Sequence, residues 1–170
     1  MKDFGVLMLR VTVGGLLAGH GARTLWGRFG GPGLVATSDQ MEALGLFPGY
    51  VWAVLEGASQ LGSGMLTVLG LLNPLGPIGI AANMTIATTK VHWGKPIWAE
   101  DGGAELPITN IAMVTAVAAL GPGRYSLDSA LGLRTPRWMT LLALISAVVG
   151  IAATLRTGLG TPQPSDEMAR

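Results

Sequence analysis

Residues 50–72 read YVWAVLEGASQLGSGMLTVLGLL, and this stretch decides the fold. A helix needs about 20 apolar residues to cross the hydrocarbon core of a bilayer, and this run is long enough. It nevertheless carries Glu56 and Gln60. Spaced one helical turn apart, they share one face, with Trp52 a turn earlier and Ser63 and Gly64 about a turn later. An acid at mid-bilayer costs roughly 3 kcal/mol on insertion scales, so it faces a bundle interior or a wet cavity rather than lipid. The remaining helices are expected to wrap around this polar stripe.

Further apolar runs flank it on both sides. Residues 4–25 form a first span, interrupted by Arg10, which lies near enough to the end to snorkel. Trp26 and Phe29 follow at an expected membrane interface. GRFGGPG (27–33) must turn, and Ser38 has the character of a helix N-cap. With Asp39 and Glu42 in its first turn, it predicts a short interfacial helix, Asp39–Leu44. The second span, 50–72, closes at Asn73-Pro74, and residues 75–91, 106–120 and 138–155 are the third, fourth and fifth. Between the last two lies the polar turn GPGRYSLD (121–128). Arg10 is expected to pair with Asp128 or Asp3, and Asp128 to cap the segment that follows it. Residues 161–170 are polar and Pro-rich, and are expected to be disordered. The expectation is one integral membrane domain, 1–160, all-α and multi-pass in the cell membrane. It is a polytopic four-helix bundle with an additional C-terminal transmembrane helix.

Composition agrees with this reading. Of 170 residues, 49% are hydrophobic and 12% charged, half the charge of an ordinary soluble domain. Mean hydropathy is +0.49. The 26 glycines suit helices that approach closely in lipid, and such Gly-rich faces also permit a homo-oligomer. A net charge of +1 gives no argument for a nucleic-acid partner. The chain has no cysteine, which excludes disulfide exchange, thiolate metal sites, iron–sulfur ligation and a cysteine nucleophile on it. Any redox role therefore draws its electrons from an organic cofactor or a soluble or cofactor-bearing partner protein.

Successive spans alternate in direction, which sorts the polar residues into two layers. His20, Arg23, Trp52, Glu56, Lys90, His92, Trp93 and Glu105 fall on one side. Lys2, Asp3, Arg10, Arg124, Tyr125 and Asp128 fall on the other. Within the first layer, Glu56 and His20 are the candidate catalytic groups, as proton carriers. Gln60, His92, Trp52, Trp93, Lys90, Arg23 and Glu105 are candidate ligand contacts. Each has a structural alternative: an internal polar pair, interfacial histidines and tryptophans, or a solvated loop. The two histidines come from one layer without a further ligand set, so neither metal nor haem is expected.

HGARTLWGRFGG (20–31), QLGSGMLTVLGL (60–71) and GPGRYSLD (121–128) together resemble the DoxX family over about residues 4–130. The resemblance implies a small four-helix membrane protein linked to oxidoreductases, in some cases to a thiosulfate:quinone oxidoreductase, and hence contact with a quinone. The family's lysine falls on Thr24, beside Arg23, and its second-helix glutamate on Gln60, while Glu56 offers a carboxylate one turn earlier. The fifth apolar run extends past the usual family pattern. Three readings of function follow. The first is a membrane component of an oxidoreductase system that contacts a quinone or small redox substrate in a polar intramembrane pocket. The second is a non-catalytic scaffold anchoring soluble redox enzymes. The third is a small proton-coupled transporter, which the lack of an inverted repeat disfavours.

Overall fold

Each apolar run forms a helix bounded by glycine, proline or a polar turn. The structure is a computed structural model that describes residues 1–157, so the 161–170 tail lies outside the described residues. These residues contain no strand and seven α-helices. They are α1 (Lys2–Trp26), α2 (Gly33–Ala43), α3 (Gly49–Leu69), α4 (Leu75–Lys90), α5 (Glu105–Leu120), α6 (Leu127–Leu131) and α7 (Arg137–Thr157).

Two boundaries differ from the sequence reading. The connector helix α2 begins at Gly33, so Ser38 lies inside it and caps nothing. Glu42 stands in its last turn, where Oε1 accepts a bond from the Gly49 backbone N–H at the start of α3. The sequence reading took the acids as a first turn; the structure uses one of them to cap the next helix. The second apolar run stops being helical at Leu69, because Gly70 adopts a left-handed conformation (φ 60°, ψ 46°) as its C-cap.

Glycine lets α1 and α3 touch backbone to backbone. A Cβ at Gly21 would fall 2.5 Å from the Leu61 nitrogen and 2.6 Å from the Gly57 oxygen. One at Gly64 would overlap the Ala18 backbone, so neither position accepts a side chain. From this seam, α3 packs on α4, α4 on α5, and α5 returns to α1. Val13, Leu17, Ile80 and Val114 meet at the centre. Helix α7 packs along α4, and α2 lies across α3.

One end of this assembly is tied by Arg10. It is 2% exposed, so it does not snorkel. Its Nε donates to Thr67 O at 2.9 Å, and Nη2 donates to Val68 O at 2.6 Å. Its Nη1 donates to Pro122 O at 2.7 Å and Tyr125 O at 2.9 Å. The first two carbonyls belong to the last turn of α3, where unsatisfied oxygens carry the negative end of the helix dipole. The guanidinium thus caps α3 from a neighbouring helix and holds the 121–126 turn at the same time.

The expected Arg10 ion pair is therefore replaced by a cradle of carbonyls. Asp128 lies within coulombic range of the guanidinium but uses its oxygens elsewhere. Oδ1 accepts from Leu72 N and Oδ2 from Asn73 N, both at 2.8 Å. Asp3 accepts from Arg124 N at 3.1 Å. Nor does Asp128 cap the following helix; Ser126 does, its Oγ accepting from Ser129 N. Leu72 sits at φ 51°, a left-handed conformation unfavourable for leucine, and its bond to Asp128 holds it there.

Much of the outer surface is apolar too. Leu141, Leu142, Ile145, Val148 and Val149 of α7 are each more than half exposed. Hydroxyls in α4 turn back onto their own helix, Thr85 to Ala81 O, Thr88 to Met84 O and Thr89 to Thr85 O. These three hydroxyls are thereby satisfied within the helix. Among the described residues, two helices are long and apolar enough to cross a membrane, Lys2–Trp26 (mean hydropathy 1.3) and Arg137–Thr157 (2.1). Helices α4 and α5 hold 16 residues each. At 1.5 Å per residue they span about 24 Å, against a core of about 30 Å.

Replacing Arg10 by alanine leaves four carbonyls and Asp128 without their cation. The variant is expected to lose about 3–5 kcal/mol of stability, whereas the exposed Arg124→Ala changes it by no more than about 0.5 kcal/mol. Reversible unfolding in detergent measures both.

Candidate functional site

The opposite end of the bundle is less completely satisfied. Trp52, Glu56 and Gln60 rise in successive turns of α3 along one face. Gln60 Nε2 donates to Glu56 Oε1 at 3.0 Å, which fixes both side chains. This leaves Gln60 Oε1 buried and without a hydrogen-bond partner. A buried acceptor left unpaired costs about 1–3 kcal/mol, so it is an expensive feature to retain without a use.

These three residues line a cavity of about 400 Å³. Helix α3 adds Leu55 and Ser59 to its wall, α4 adds Asn83, Ile86 and Lys90, and α7 adds Gly150 and Thr154. Met41, Leu44 and Leu46, from α2 and the residues after it, cover the end. Asn83 is oriented by its own bonds, with Nδ2 donating to Ser59 Oγ and Gly79 O, each at 3.0 Å. The result is a mostly apolar chamber with a carboxylate–amide pair on one wall, a second amide opposite, and a lysine stem near the loop end. Such a space suits a largely apolar ligand with a few polar atoms, since the fixed polar groups orient it and the apolar walls contact the rest.

The structure brings Trp52, Glu56, Gln60 and Lys90 together around this space. It places the other sequence-selected residues outside the lining. His20 is exposed on α1. Arg23 Nη1 donates to Phe29 O at 2.8 Å and closes the turn after α1. His92 Nδ1 lies 2.6 Å from Gly102 O, a contact that orders the α4–α5 loop. Trp93 is 78% exposed. Glu105 Oε2 accepts from Ala99 N at 2.9 Å within that same loop. Among the described residues, no three histidine, aspartate or glutamate side chains gather as a metal site would need.

Asn83, Ser59, Met41 and Thr154 were not singled out from the sequence. Asn83 had a signal, being one of few polar residues in the third apolar run. The α7 residues had none, because the fifth run is apolar on all sides and its spacing marks no inner face.

A family profile, DoxX, matches residues 5–93, more than half of the chain and all of α2 to α4. The chain belongs to the DoxX family. The match takes in every α3 and α4 residue of the cavity and ends before both the GPGRYSLD turn and α7. Neither a curated protein nor a solved structure matches the chain. DoxX is a membrane-associated family, and with two helices long enough to span, this member is a membrane protein.

The unpaired Gln60 oxygen makes a stability test of the site. Gln60→Leu deprives the Glu56 carboxyl of its amide donor and is expected to destabilise the protein by about 1–3 kcal/mol. The double variant Glu56→Leu/Gln60→Leu removes both polar groups and is expected to equal or exceed wild-type stability. Thermal unfolding in detergent of the wild type and both variants checks this.

Proposed function

We propose that this DoxX protein is the membrane component of an oxidoreductase system and that its cavity binds the head of a quinone. The four packed helices α1, α3, α4 and α5 form a transmembrane bundle in this reading, and α7 is a fifth span on its outside. The observation that carries the reading is the Glu56–Gln60 pair, held in an apolar chamber with an acceptor oxygen to spare. An intramembrane acid facing a cavity is a functional site by default.

The residues present fit such a head. Gln60 Oε1 can accept a bond from a ring hydroxyl, and Trp52 offers a flat apolar surface for the ring. Glu56 keeps one carboxyl oxygen beyond the one bonded to Gln60, and that oxygen can take a proton from a hydroxyl. Lys90, on the facing helix α4, lines the same space. A bound quinone would supply the electron acceptor or donor that the chain lacks, and the electrons would pass between it and a cofactor-bearing partner. His20 and His92 stand outside the chamber, where they can move protons between its mouth and water.

Binding of a decyl-chain benzoquinone, followed by tryptophan quenching in detergent, tests the reading. Glu56→Leu and Trp52→Ala are each expected to weaken binding about tenfold, and His20→Ala and His92→Ala by no more than about twofold. A folded wild type that binds no quinone would contradict it.

A further inference from the structure

The polar chamber has a neighbour along α4 and α7. A second cavity of about 320 Å³ lies between these two helices. Ser59, Asn83, Ile86 and Gly150 line both spaces, so the two adjoin at the Ser59–Asn83 hydrogen bond. Their characters differ. The chamber holds Glu56, Gln60 and Lys90, whereas the second space runs between aliphatic and small residues such as Leu75, Ile78, Ala82, Ala143 and Ala147. Helix α4 walls the pair of cavities from Leu75 to Lys90, a length of about 24 Å at 1.5 Å per residue.

An elongated space with polar atoms at one end and none needed at the other is complementary to an amphiphile. We propose that the natural ligand carries a linear apolar chain that lies along the α4–α7 groove while its ring occupies the Glu56–Gln60 chamber. This rests on the ring-binding reading above and narrows its ligand to a chain-bearing class, against a small soluble redox substrate. Helix α7 is then a specificity element. It lies outside the family-matched residues 5–93, so the groove is an addition to the matched core.

Gly150 stands where the two spaces meet and lines both, so a side chain there bears on the ring chamber as well. Ala143 and Ala147 line the groove alone. Ala147→Leu therefore fills the groove while leaving every residue that lines the ring chamber in place.

The test uses the full chain in nanodiscs and two probes, a benzoquinone with a decyl chain and the same ring without it. Comparing wild type with variant at equal bilayer mole fraction cancels the partitioning of the chain into lipid. Ala147→Leu is expected to weaken the decyl compound about tenfold and to leave the chainless ring within about twofold. Ala143→Leu, further along the groove, is expected to repeat the pattern. Unchanged decyl binding in both leucine variants would overturn the groove while the ring site stands. Equal loss of both probes would also overturn it, since that space would then belong to the ring. A wild type that binds neither probe defeats the ring-binding reading, and this inference with it.

Discussion

A buried guanidinium holds the chain ends of four helices in one place. Arg10 comes from α1, its acceptors come from the last turn of α3 and the turn after α5, and Asp128 joins the start of α6 to Leu72 and Asn73 in the turn between α3 and α4. Gly70 is part of the same knot, because a Cβ there would fall 2.5 Å from the Arg10 Cζ. A charge in this setting is tolerable only when each of its nitrogens is hydrogen-bonded and an opposite charge is near. Both conditions are met, and meeting them fixes where α3 stops and where the chain leaves toward α7. The line that α7 takes along α4, and so the far wall of the cavity, begins at this knot.

The two ends of the bundle differ in how they treat polar groups. At the Arg10 end every donor and acceptor described above has a partner, and the residues there serve only to hold helices. At the other end Gln60 leaves an oxygen unpaired and Glu56 faces a chamber. Rigid support at one end and an incompletely satisfied pair at the other is the arrangement expected when a site must be held in position yet left free to bond a ligand.

Much of the fold was legible in the sequence because apolar runs and Gly/Pro punctuation are local signals. The runs at 4–25 and 138–155 correspond to Lys2–Trp26 and Arg137–Thr157, and the family resemblance to the DoxX match. Capping was read less well. Ser38 preceding two acids is a good N-terminal signal, but an apolar segment before it extended the helix back to Gly33. Arg10 was assigned an ion pair because carboxylates are visible in a sequence and the carbonyls of another helix end are not. For the site, alternation of the spans gave each residue's depth but not its direction around the helix axis. Depth alone grouped His20 with Glu56; the rotation of α1 turns His20 outward. The contribution of α7 needed its packing on α4, which no spacing in a uniformly apolar run discloses.

The central claim is that a ring ligand sits in the chamber between α2, α3, α4 and α7. Photolabelling with an azidoquinone, followed by peptide mapping, locates it most directly. The account predicts label on residues 52–60, 86–91 and 150–154, competed away by unlabelled quinone. Competed label confined to the His20 and His92 regions, with none on α3 or α7, would contradict it.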